Sequence, residues 1–144
     1  MFKVLQIDHV ELFVPDRREA ARWYEETLGL AVLREHEHWA EDPGGPLMIS
    51  SDGGGTMLAL FTGDPRGGRP TAGFHRVAFR VDGPGFLRFQ EHARDHPVRD
   101  EAGGEVRNLQ PRDHGKAFSF YFCDPWGHRL EVTTYDEGYV RERT

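Results

Sequence analysis

The 144-residue chain contains one cysteine, Cys123, which excludes an internal disulfide framework and suits a reducing compartment. It has no apolar run of the ~20 residues that cross a bilayer as a helix. The opening MFKVLQIDHVELFV lacks the basic segment and cleavage site of a secretion signal and alternates like a strand instead. Positive charge is in deficit: 18 Lys and Arg stand against 24 Asp and Glu, for a net charge of −6. Such a balance argues against a nucleic-acid-binding surface. The expectation is a cytoplasmic protein with no membrane and no nucleic-acid partner, handling small molecules or other proteins.

Glycine and proline, by contrast, are plentiful at 17 and 9 residues, which suits many tight turns. Hydrophobic residues make up 38% of the chain and aromatics 12%, enough for one compact domain or two small halves sharing a core. The halves show as a diverged repeat. IDHVELFV (7–14) and GFHRVAFRV (73–81) each place a histidine near the start of an alternating apolar strand. A helix follows each. In the first half Asp16 and Glu19 form a capping box ahead of RREAARWYEETL, and Gly29 ends the helix. Ala20, Trp23, Tyr24, Thr27 and Leu28 fall on one face of it. In the second half Asp82 caps a shorter helix over about 84–95 that carries Phe86, Phe89 and Ala93, and Pro97 stops it.

Three strands are expected after each helix: about 31–38, 46–50 and 56–61, then about 105–109, 117–123 and 129–134. The order β-α-β-β-β thus occurs twice within a single domain, 1–144. Module one spans about 4–62, a Gly/Pro-rich linker 63–72, module two about 73–135, and a polar tail 136–144. His36 and His38, in REHEHW, share a face of the 31–38 strand, which reads as a solvated edge.

The segment AFSFYFCDPWGHRLEV (117–132) carries the most information. Phe118, Phe120 and Phe122 point one way, toward a core, while Ser119, Tyr121 and Cys123 point the other. Cys123 has no neighbouring base and reads as structural. Glu131 lies between Leu130 and Val132, where a carboxylate is costly to bury without a partner. Aligning the halves offers it company: His9 matches His75, and SDGGGTMLAL matches CDPWGHRLEV, so Glu131 corresponds to Ala59. Singly, His9, His75 and Glu131 read as two core histidines and an edge carboxylate. At matched positions of a repeat they read as a ligand set.

Over about residues 4–135 these motifs resemble the vicinal oxygen chelate superfamily, which includes glyoxalases, fosfomycin-resistance proteins, bleomycin-binding proteins and extradiol dioxygenases. The resemblance implies an α+β fold in which two paired βαβββ modules with curved mixed sheets enclose a metal site. It implies metal ligands at His9, His75 and Glu131, with the fourth glyoxalase ligand falling on Ala59, which cannot bind metal. Two imidazoles and one carboxylate suit a divalent first-row ion and leave positions open for substrate. Fe(II) is the favoured ion, and Mn(II), Zn(II) or Ni(II) fit the same set as Lewis acids. A homodimer is also expected.

DHGKAFSFYFCDPWGHRLE is similar to the extradiol dioxygenase pattern His-x6-Tyr-x2-Asp-Pro-x-Gly-x3-Glu, supplying His114, Tyr121, Asp124, Pro125, Gly127 and Glu131. That likeness implies a ring-cleaving dioxygenase in which His114 and Tyr121 are catalytic, and this is the leading expectation. There are two departures: Arg112 stands where the pattern has a small or aliphatic residue, and TMLALF lacks the acid–base histidine of ring-cleaving relatives. SFYFCDPWGHRLE is equally similar to fosfomycin-resistance thiol transferases. Strand alternation places Glu11 and Phe13 with His9, Val77 and Phe79 with His75, and Thr133 with Glu131. Glu11 is then a candidate general base for a non-redox isomerase, lyase or thiol transferase, and would repel a phosphonate. A metal-free protein that binds a small molecule, as in antibiotic resistance, is the remaining reading.

Overall fold

A computed structural model describes residues 1–65, 69 and 73–144. The expected linker at 63–72 falls largely outside the described residues. The chain divides into two compact units, Met1–Gly68 and Arg69–Thr144, each built on its own mixed sheet. The architecture is α+β, and among the described residues neither sheet closes into a barrel. No helix among them is long and apolar enough to cross a membrane.

The first unit runs β1 (His9–Val14), α1 (Arg17–Leu28), β2 (Ala31–Val32), a 3-10 helix (Arg34–Glu41), β3 (Leu47–Ser50) and β4 (Met57–Thr62). Its strand order is β1-β4-β3-β2, with β1 parallel to β4 and the other pairs antiparallel. Residues 1–8 carry no regular structure, so β1 starts at its histidine. Asp16 caps α1 as expected, accepting from the N–H groups of Arg18 and Glu19 at 2.9 and 3.1 Å. Gly29, at φ 73°, closes the helix in the left-handed region that disfavours a Cβ. Ala20, Ala21, Tyr24 and Thr27 are its buried residues, while Trp23 and Leu28 are half-buried. They cover the sheet face that Leu12, Val14, Leu47, Ile49, Leu58 and Leu60 supply. Asp16→Ala should cost about 1 kcal/mol, read as a lower urea midpoint at unchanged m.

The expected strand over 31–38 is corrected. Only Ala31 and Val32 pair, and REHEHWAE closes into the 3-10 helix. The segment has no alternating apolar set to bury, and bonds from the arginines of α1 hold it in turns instead. Arg17 donates to the carbonyls of Ala40, Asp42 and Gly45. Glu37 accepts from Arg18 and Arg34 at 3.0 Å each, which holds its carboxyl below the usual range. His36 stacks on Trp39, three residues on, with centroids 4.2 Å apart, as the eclipsed spacing of a 3-10 helix allows.

The second unit runs β5 (Val77–Arg80), α2 (Gly83–Asp95), β6 (Val98–Arg99), β7 (Glu105–Val106), β8 (Arg112–Asp113), β9 (Phe118–Cys123), β10 (Arg129–Thr134) and α3 (Glu137–Arg141). The strand order is β5-β10-β9-β6-β7, and β8 also pairs with β9. The strand expected over 105–109 shrinks to two residues, and β6 and β8 are too short to leave a periodic signal. The phenylalanine row of β9 packs against α2 as its alternation dictates. Phe120 stacks on Phe86 with centroids 4.1 Å apart, and Phe122 meets Phe89 at 5.4 Å.

Residues 136–144 are more than a polar tail. They form α3, bury Val140, and approach Gly83 so closely that a Cβ there would come within 2.7 Å of the Tyr139 ring. Arg141 grips Asp113 with a fork of bonds at 2.7 and 2.8 Å. That fork, ahead of the backbone N–H of Gly115, lowers the Asp113 carboxyl from 3.8 to about 2. A depressed carboxylate stabilises the fold above its unfolded pKa and loses that contribution as pH falls through the folded value. The tie between β8 and α3 should therefore weaken as pH drops from about 3.8 through about 2. An NMR titration should place Asp113 near 2, and Arg141→Gln should return it toward 3.8.

Candidate functional site

In the second unit, β9 and β10 pair so that Tyr121 is opposite Glu131 and Ser119 opposite Thr133. Ser119 Oγ donates to Glu131 Oε2 at 2.8 Å and lies 2.9 Å from Thr133 Oγ1, whose hydroxyl donates to the Phe118 carbonyl. The half-buried Glu131 carboxylate thus has a fixed hydroxyl partner, which offsets the cost of placing it in a strand. His114 follows β8, and its turn is closed by a bond from its own N–H to the Ala117 carbonyl. This aims its ring at Tyr121: Nε2 and the phenolic oxygen are 2.8 Å apart and the rings meet edge to face. Two of the three expected catalytic residues are therefore in direct contact, one strand from an expected ligand.

Asp124 is fully buried, yet its role is in the turn. It accepts from the N–H groups of Trp126 and His128 at 3.0 and 2.9 Å, and its other oxygen is 2.7 Å from His128 Nδ1. Cys123 is buried, and burial pushes its thiol pKa up, which suits the structural role expected of it.

In the first unit, His9 sits between two carboxylates. Its Nδ1 is 2.7 Å from Asp8 Oδ2, and its Nε2 is 3.1 Å from Glu11 Oε2. The Asp8 bond, with help from Glu11, raises the imidazole pKa. Glu11 pairs with Ala59 across the parallel β1–β4 ladder, so a carboxylate stands one strand from the position that carries no ligand. Phe13 and Phe61 continue this face at 5.9 Å, beside a buried cluster of Leu33, Met48, Met57 and Ala59.

His75 is exposed in a bend before β5. The expected partnership of Val77 and Phe79 with the polar face is corrected. β5 pairs Ala78 with Glu131 and Arg80 with Thr133, leaving Val77 and Phe79 beside the core residues Leu130 and Val132. Alternation counted from His75 fails because the strand begins two residues later and sets its own phase. Arg76 reaches the polar face instead, its guanidinium 4.6 Å from the Tyr121 ring centre.

Among the described residues, neither unit by itself gathers three His, Cys, Asp or Glu side chains into a metal site. The chemistry of the donors nonetheless fits a divalent ion. Metal-binding histidines characteristically give their second ring nitrogen to a carboxylate, as His9 does with Asp8, and ligating carboxylates are themselves hydrogen-bonded, as Glu131 is to Ser119. Neither Asp8 nor the role of Ser119 was identified from sequence. The adjacent Asp-His pair was a signal for the first, and the period-two placement of Ser119 beside Glu131 for the second.

The model of the Glyoxalase/Bleomycin resistance protein/Dioxygenase superfamily matches residues 6–132, and the chain belongs to this vicinal oxygen chelate superfamily. No curated protein sequence matches it. Among solved structures it is similar to the genomically encoded fosfomycin resistance protein FosX of Listeria monocytogenes, at 16% identity, covering 99% of this chain and 100% of that one, with a TM-score of 0.64. A mutant of the same Listeria protein, complexed with Mn(II) and 1S,2S-dihydroxypropylphosphonic acid, is 16% identical over 98% of this chain and 100% of its own, with a TM-score of 0.65. The oxidase ChaP-H2 is 21% identical over 92% and 94% of the two chains, with a TM-score of 0.63. At these identities the likeness shows the fold.

Proposed function

We propose that the protein is a divalent-metal-dependent enzyme acting on a small molecule, with His9, His75 and Glu131 as metal ligands and His114 and Tyr121 as its catalytic pair. Its reaction is the ring cleavage of a catechol by dioxygen, with Fe(II) as the ion. The observation that carries this is the 2.8 Å hydrogen bond between His114 and Tyr121, with Tyr121 opposite Glu131. When bound, the metal supplies Lewis acidity and open positions for substrate and dioxygen.

The chain's residues do the rest. His114 Nε2 and the Tyr121 hydroxyl share one hydrogen, so the pair can take a proton from a phenolic substrate and return it to the product. Ser119 fixes one oxygen of Glu131, and Asp8 orients the His9 ring through Nδ1. The half-buried Phe13 and Phe61, backed by the buried methionine cluster, offer an apolar surface on the strand face of His9 for the hydrocarbon part of the substrate. The same reading makes the protein a cytoplasmic homodimer with no nucleic-acid or membrane partner.

Anaerobically purified protein reconstituted with Fe(II) should consume oxygen with a catechol and form a ring-opened, visible-absorbing product. Absence of oxygen uptake across a catechol panel, in protein with full iron, contradicts the ring-cleavage reading. A second reading rests on Glu11, whose carboxylate lies 3.1 Å from His9 Nε2. There Glu11 is the general base of an isomerase, lyase or thiol transferase holding Mn(II), Zn(II) or Ni(II), and turnover would persist without oxygen.

A further inference from the structure

Glu11 is an acidic residue in apolar company. It stands between His9 and Phe13 on the face of β1 that turns away from α1. Across from these three on β4 are Met57, Ala59 and Phe61, and Met48 on β3 follows Ala59. Among the described residues the one polar partner of Glu11 is His9, whose Nε2 is 3.1 Å from Oε2. Neither Glu11 nor Asp8, at the other nitrogen of the ring, pairs with a Lys or Arg among those residues. Two carboxylates thus flank one imidazole, which even when protonated balances only one of them. The surplus negative charge calls for a cation.

The 3.1 Å spacing suits two donors on one ion. Bonds of about 2.0–2.2 Å from nitrogen and oxygen, set ~90–109° apart, separate the two atoms by about 2.8–3.5 Å. An ordinary hydrogen bond has that length too, so the charge and the apolar surroundings decide between them. Because the two residues are i and i+2 of one strand, both donors leave the same face. An ion in place of the hydrogen between them meets both with the strand pairing unchanged.

We propose that Glu11 is a metal ligand, binding the same ion that His9 holds through Nε2. The inference rests on the metal-enzyme reading for the presence of the ion, and goes beyond it in giving the first unit two donors instead of one. With Glu131, Glu11 balances the charge of a divalent ion. On an octahedral ion four protein donors leave two positions, which suit a bidentate substrate. In the ring-cleavage reading dioxygen then enters as Glu11 withdraws, which its exposed side chain has the freedom to do. A ligated Glu11 is not available as the base of an isomerase, lyase or thiol transferase, so the two roles are alternatives.

The test uses Mn(II) alone, with full-length wild type and Glu11→Ala, and needs no turnover. Loss of the free Mn(II) EPR signal measures binding, and pulsed EPR in D₂O counts the waters on the bound ion. Glu11→Ala should bind Mn(II) at least tenfold more weakly and gain one coordinated water. Glu11 is exposed and has only His9 as a polar partner among the described residues, so the metal-free variant should keep the wild-type melting temperature.

Unchanged affinity in folded Glu11→Ala protein overturns the proposal. So does weaker binding with an unchanged water count, which would make Glu11 a neighbouring charge and not a ligand. In either case Mn(II) lost from His75→Ala and Glu131→Ala leaves the metal-enzyme reading standing. Wild type that binds no Mn(II) fails that reading first, and the ligand role of Glu11 with it.

Discussion

A His114→Gln protein should turn over its substrate about 10²–10⁴-fold more slowly than wild type, with an unchanged melting temperature and unchanged metal content. His114 is exposed, and its turn is held by a backbone bond to Ala117, so removing the imidazole leaves the fold intact. What disappears is the proposed base, whose Nε2 lies 2.8 Å from the Tyr121 hydroxyl. Tyr121→Phe removes the other half of the pair and should lower kcat comparably. Because the two act as a unit, the double variant should be little worse than either single one. Multiplying losses, or near-wild-type turnover in either single variant, would show that the hydrogen bond is not part of the chemistry. The check is steady-state turnover of all three proteins, with thermal melts and metal analysis alongside.

The largest effect on stability is expected at Phe120. It is fully buried on β9, stacked on Phe86 at 4.1 Å and 6.0 Å from Phe89. Phe120→Ala should cost about 3–5 kcal/mol, because α2 cannot collapse into the lost ring volume without leaving the sheet. That is a large part of the ~5–15 kcal/mol that holds a typical domain together. Equilibrium urea unfolding measures it directly, and a loss below ~2 kcal/mol would mean the aromatic stack is not the core of this unit. Tyr121 is the next residue on the strand and points the other way, so the packing of Phe120 also sets where the phenol lies. Near its lowered midpoint the variant should lose activity before it loses helix signal.

Much of this arrangement was legible in the sequence, for identifiable reasons. Asp16 and Asp82 declared the helix starts because a short acidic side chain bonds the free N–H groups of a first turn, and both do so. The Phe row and the Ser/Tyr/Cys row of β9 were separable because a strand has no other way to place them. The spaced motif singled out His114 and Tyr121 but not their contact, which a two-residue strand with a tight turn makes.

Other features were not legible, and again for physical reasons. REHEHWAE alternates charge rather than hydrophobicity, so its apparent period of two carried no burial, and long-range bonds from Arg17 and Arg18 decided its shape. The phase of β5 depended on pairing with β10, which no local pattern records, and this placed Arg76 rather than Val77 or Phe79 with Tyr121. The contribution of α3 came from a glycine on α2 and an aspartate on β8, both distant in sequence.

The central claim is that His9, His75 and Glu131 hold one metal ion, and it is tested most directly by metal analysis of anaerobically purified, reconstituted protein. Wild type is predicted to carry about one divalent ion per chain. His9→Ala, His75→Ala and Glu131→Ala should each weaken that binding beyond the ~10–100-fold that loss of a supporting residue causes. Wild-type protein that stays metal-free after reconstitution, or a folded His75→Ala or Glu131→Ala protein that binds the ion as tightly as wild type, would contradict it.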